Sequence, residues 1–72
     1  MIAHVVLRAH QLRKVGPGAM WLVEREWLSD GRVMQRTNDG RPDVEAEWKQ
    51  IGRWSDLERE REKLMREGWD VD

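Results

Sequence analysis

From Ile2 to Leu12 apolar and polar positions alternate, imperfectly: Ala3, Val5, Leu7 and Ala9 share one side, and His4, Val6, Arg8 and His10 the other. A period of two is the mark of a half-buried strand with a polar outer face. Val15-Gly16-Pro17-Gly18 then interrupts the pattern, and neither strand nor helix continues through such a sequence. Ala19 to Leu28 resumes it. Trp21, Val23, Arg25 and Trp27 fall on one face, and Met20, Leu22, Glu24, Glu26 and Leu28 on the other. Both faces are partly apolar, as expected of a central strand. Ser29-Asp30-Gly31-Arg32 follows, and Asp-Gly between apolar runs is a strong hairpin signal, with Val33 to Thr37 as the return strand.

Asn38 to Asp43 reads as a loop. Val44 to Ile51 fits two patterns: Val44, Ala46 and Trp48 suit a strand, whereas Val44, Trp48 and Ile51 suit a helical face. A strand or irregular extended segment ending at Gly52 is the preferred reading. Ser55 to Glu67 predicts a helix, with Ser55 as the cap, Glu58 three residues later as its capping-box partner, and Gly68 as the terminating glycine. Leu57, Leu64 and Met65 form its apolar stripe, and Trp69 and Val71 are expected to fold back onto the sheet or the helix end. The expected fold is α+β: one domain over residues 1–72, a three- or four-stranded antiparallel sheet with one C-terminal helix across a face.

Composition sharpens this picture at one point. The chain has five tryptophans, Trp21, Trp27, Trp48, Trp54 and Trp69, with no Phe, Tyr or Cys. Each indole can bury roughly 150–250 Å², so the rings either build the core of a very small domain or present an aromatic contact surface. A domain of this size hides only about 60% of the surface its unfolded chain exposes. Small scaffolds commonly need a disulfide, a metal, an oligomer interface or a partner. Disulfides are excluded without Cys, and that absence suits a reducing cytoplasm. No segment has the basic-then-apolar order of a signal peptide or the apolar length of a membrane span, so cytoplasmic is the expected location. The bias to Arg over Lys, with Trp but no Phe or Tyr, looks like a GC-rich coding sequence.

The net charge of −1 hides an asymmetry. Residues 1–20 carry Arg8, Arg13 and Lys14 and no acid, whereas residues 21–47 sum to −3 and residues 48–72 to −1. A basic end on a nearly neutral chain points to a local electrostatic preference for a partner.

Chemistry is sparse. His4 and His10 lie six residues apart, nearly 20 Å along an extended strand at about 3.3 Å per residue, too far to share an ion. Zinc sites want three or four ligands at about 2 Å, so no metal or other cofactor is expected. Ser29 precedes a turn, Thr37 ends a strand and Ser55 is wanted as a cap, which leaves no nucleophile with a base; the acidic pairs Asp39/Asp43 and Asp70/Asp72 sit in loop or tail. The chain is read as non-enzymatic. A nucleic-acid-binding regulator would use the hairpin arginines Arg25, Arg32, Arg36 and Arg41 with Trp21 or Trp27 as a stacking platform, against the handicap of an acidic balance. A protein-binding module fits better: the core is undersized, Trp is in surplus, and the basic N-terminal strand reads as a sheet edge open to β-augmentation. The expected contacts are Arg8, His10, Arg13 and Lys14, with Trp27 as anchor. A homodimer closed by surplus Trp is a third reading. The bland alternative is an internal strand, core rings and a solvated charge lattice.

In its length, strand–hairpin–helix order and composition the chain resembles phage-encoded inhibitors and antitermination factors of bacterial RNA polymerase. Trp27-Leu28-Ser29-Asp30-Gly31-Arg32 and Glu67-Gly68-Trp69-Asp70-Val71 are the segments in which a shared signature would lie. The resemblance is one of general form, and no functional residue is carried over from it. It implies a domain that binds a polymerase subunit without catalysis.

Overall fold

The odd positions of the first strand face the core. Leu7 and Ala9 are buried, as are Val23 and Trp27 from the second strand and Val33 from the third. The computed structural model describes residues 2–39 and 46–72. Five strands and one helix follow in the order β1 (Val5–Gly16), β2 (Ala19–Leu28), β3 (Arg32–Asn38), β4 (Lys49–Arg53), α1 (Leu57–Arg66) and β5 (Asp70–Val71). They form one antiparallel sheet in the order β4-β3-β2-β1-β5. The α+β class and C-terminal helix are as expected, but the sheet has five strands rather than three or four.

Two turns set the register. Pro17-Gly18 joins β1 to β2, with Gly18 at φ 73°, and a proline followed by a positive-φ glycine is what a type II turn requires. Ser29-Asp30-Gly31 joins β2 to β3. The Gly31 N–H donates to the Leu28 carbonyl at 2.9 Å, and Gly31 at φ 93° supplies the left-handed residue that closes a three-residue hairpin loop. Arg32 donates to the Asp30 carboxylate from its backbone and, at 2.7 Å, from Nε. Desolvation would raise the Asp30 carboxyl, but these bonds and the charges of Arg32 and Arg53 outweigh it and hold the group below its ordinary value.

The core is a row laid across the sheet. Trp27 lies opposite Leu7 on one side and Val33 on the other, and Leu64 and Trp69 close it from above. Among the helix residues Leu64 is buried, Leu57 is partly so, and Met65 is 69% exposed. The expected stripe therefore loses Met65: one position past Leu64, it is turned about 100° off the core-facing line. Leu64→Ala is expected to cost about 2–5 kcal/mol, read from urea unfolding by circular dichroism. A cost under about 1 kcal/mol would mean that the helix does not seal this core.

The helix departs from expectation at its N-terminus and follows it at Gly68. Asp56, not Ser55, is the cap, accepting from the Arg59 N–H at 3.3 Å. At the other end Gly68, at φ 78°, reverses the chain: its N–H reaches the Met65 carbonyl and the Trp69 N–H the Leu64 carbonyl. This Schellman-type cap drops Trp69 into the core and launches β5 against β1. β4 begins at Lys49 and passes through Gly52 to Arg53, one residue beyond the expected end, and residues 46–48 before it belong to no regular element. The loop expected beyond Asp39, with Val44 and Glu45, lies outside the described residues. Among the described residues no helix is long and apolar enough to cross a membrane.

Candidate partner-binding surface

The two longest strands outrun the rest of the sheet. Pairing of β2 with β3 runs from Trp27 to Leu22, and β5 covers β1 at Ala9 and His10. Beyond those points β1 and β2 continue, among the described residues, with each other alone, paired from Gln11↔Val23 through Arg13↔Trp21 and Lys14↔Met20 to Gly16↔Ala19. The molecule consequently carries a two-stranded arm, with a bulge between Lys14 and Gly16 near its tip.

Apolar side chains are exposed along this arm, and no third strand or helix among the described residues pairs with it. Leu12 is 62% exposed, Met20 51%, Val15 46% and Trp21 40%. Leu12, Lys14 and Met20 share the helix-free face with Leu22; Arg13 and Trp21 share the other. Arg13 and Lys14 are the arm's only ionisable residues between Gln11 and Trp21. The result is an apolar, basic projection on a nearly neutral molecule.

The arm is braced at its base. Gln11 donates from Nε2 to the Glu67 carbonyl at 3.0 Å and accepts at Oε1 from Arg13 Nε at 3.1 Å. The Arg13 guanidinium also lies 5.5 Å from the centre of the Trp69 ring. Arg25, on the same face, lies 4.4 Å from that ring and donates twice to Gln35 Oε1. Burial, and then the charge of Arg13, pull the Arg25 guanidinium below its ordinary value, while Glu67 and Glu60 pull it back. Cation–π contacts of this kind contribute about 0.5–2 kcal/mol. They couple the arm to the helix end.

The expected contact residues fall into three groups. Arg13 and Lys14 lie on the arm and are exposed. Arg8 and His10 lie lower, on the helix-free sheet face, where Arg8 pairs with Glu26 at 2.9 Å and His10 Nε2 stands 3.6 Å from Asp70. Trp27 is 1% exposed, and its indole N–H donates to Glu60 Oε1 at 3.1 Å, so it is core and cannot be the anchor. Trp21, 40% exposed, is the ring of that face that is open to solvent. Sequence periodicity put both rings on one face, correctly; what separates them is that β3 lies beside Trp27 and stops short of Trp21. The expectation that β1 is an edge is corrected too. β5 lies outside it, but covers only two of its residues.

The hairpin arginines are occupied within the fold. Arg32 pairs with Asp30 at 2.7 Å, Arg36 with Glu24 at 2.9 Å, and Arg25 is held as above. Arg36 also lies 4.6 Å from the Trp48 ring centre. Arg41 lies outside the described residues. The helix-free sheet face thus carries cross-strand ion pairs, Arg8 with Glu26 and Arg36 with Glu24, whereas four of the exposed large apolar side chains, Leu12, Val15, Met20 and Trp21, lie together on the arm. No protein-family model, no curated protein and no solved structure matches the chain.

Proposed function

We propose that the chain is a non-enzymatic protein-binding module that grips a larger partner with the β1–β2 arm. One observation carries the reading: four exposed apolar side chains, Leu12, Val15, Met20 and Trp21, are concentrated on an arm whose ionisable residues are Arg13 and Lys14. Exposed aromatic and apolar groups framed by charge are the usual anatomy of a binding hot spot. The general resemblance to phage-encoded polymerase inhibitors makes bacterial RNA polymerase the first partner to test and the cytoplasm the place of action. Binding would work by steric block or by allostery.

The alternative, a nucleic-acid-binding regulator, is less well supported. It needs free arginines beside an exposed ring, and Arg25, Arg32 and Arg36 are engaged with their neighbours. Capture from a nuclease-treated bacterial lysate, followed by titration of purified RNA polymerase across a salt series, separates the two. A stoichiometric protein partner that survives nuclease and weakens only modestly with salt is the expected result. Retention of nuclease-sensitive material alone, with a steep salt slope, would replace this reading by the nucleic-acid one.

A further inference from the structure

The hydrogen-bond pattern of β1 shows how the arm can take hold of a partner. The Asp72 N–H donates to the Arg8 carbonyl at 2.9 Å, on the side of β1 away from β2. In an antiparallel ladder a residue turns its N–H and its C=O to the same side, and every second residue repeats that direction. His10, Leu12 and Lys14 therefore face outward with Arg8. β5 meets Arg8 to His10 and goes no further, because the Gly68 reversal commits the Trp69 N–H to Leu64. Among the described residues no strand lies beside Leu12 and Lys14, whose backbone groups form an open, two-residue-period edge continuing the line of β5.

Resting on the protein-binding reading above, we propose that this edge binds an acidic, extended segment of the partner protein by β-augmentation, as a strand added beside Gln11–Lys14. Charge selects the occupant. Lys14 on one face of the arm and Arg13 on the other each call for a carboxylate, and Leu12 calls for an apolar neighbour beside Leu22. A second copy of this chain is a poor occupant. Antiparallel pairing of two such edges about Arg13 or about Lys14 sets that cation against its own counterpart, and like charges directly opposite are destabilising. Pairing about Leu12 avoids this but sets Lys14 against His10, and with no acid in residues 1–20 no register of a second copy offers either cation a carboxylate. An edge lysine and a nearby bulge also guard against indiscriminate strand pairing, and an acidic strand meets the first of these as an attraction.

The test uses the full chain and a fluorescein-labelled, capped peptide, Glu-Val-Asp-Glu-Val-Asp-Glu. Two control peptides accompany it: one N-methylated at both valines and one with lysine at every acidic position. Anisotropy gives affinity, and amide hydrogen exchange reads the edge. The expected result is saturable binding of the acidic peptide, slowed exchange at Leu12 and Lys14, and at least a tenfold loss for each control peptide. Lys14→Glu should lose at least tenfold with an unchanged unfolding midpoint. Leu12→Pro, which removes one outward N–H, should lose as much; the N-methylated peptide asks the same question without altering the protein. No saturable binding, or equal affinity for the N-methylated peptide, would overturn the proposal. So would displacement of the peptide by a single-stranded oligonucleotide, or concentration-dependent dimerisation abolished by Lys14→Glu. A protein partner captured from lysate equally well by Lys14→Glu and wild type would sink the edge mechanism and leave the module reading standing.

Discussion

Trp27→Ala is expected to destabilise the fold by about 3–5 kcal/mol, the largest effect of any single substitution considered. The ring is 1% exposed, lies between Leu7 and Val33 on neighbouring strands, and anchors the helix through the Glu60 carboxylate. A chain of this length has a total stability of roughly 4–11 kcal/mol at 0.05–0.15 kcal/mol per residue, so the loss amounts to between about a quarter and all of it. Urea titration by far-ultraviolet circular dichroism measures it. Trp27→Phe isolates the polar part: it keeps a ring in the core and removes the donor to Glu60, and should cost less than the alanine variant. A loss below about 1 kcal/mol for Trp27→Ala would place the core elsewhere.

Trp21→Ala should do the reverse. The same residue type, six positions earlier on the same face, lies where β3 no longer runs alongside β2. Its loss should shift stability by no more than about 1 kcal/mol, in the range of surface substitutions. Partner affinity should fall about 30-fold, the equivalent of a hot-spot contribution of about 2 kcal/mol. Isothermal titration against the captured partner, beside the urea titration of the free variant, reads both quantities. Stability lost with affinity intact would exchange the roles of the two tryptophans and remove the anchor from the arm.

That contrast shows where the sequence was legible. Local rules found the alternation placing Leu7 and Ala9 inward, the hairpin at Ser29 to Arg32, and the helix terminated by Gly68. These features depend on neighbours within a few residues. The distribution of the tryptophans depends on how far β3 extends alongside β2, a long-range register that no periodicity records. The fifth strand was hidden for a related reason: two residues, Asp70 and Val71, have no pattern of their own and become a strand only because the Gly68 cap delivers them to β1. Val44 to Ile51 satisfied two periods at once, and pairing of Met34 with Gln50 and Gln35 with Lys49 is what makes the last part of that segment a strand.

The candidate site was half visible. Arg13 and Lys14 stood out by charge, and Arg8 and His10 with them, but the cross-strand partners Glu26 and Asp70 that occupy the latter pair come from distant parts of the chain. Leu12 and Met20 passed as ordinary strand residues, and Val15 as part of the interruption before Gly16, although β1 runs on through it to Gly16. Among the described residues, β3 ends at Asn38 and β5 is two residues long, and neither reaches them.

The most direct test of the arm as the contact surface is hydrogen–deuterium exchange of the full chain, free and bound to the protein captured from nuclease-treated lysate. Slowed exchange concentrated between Gln11 and Trp21, with β4 and the helix unchanged, is the predicted result. Protection confined to β4 or the helix, with the arm exchanging as in the free protein, would contradict it.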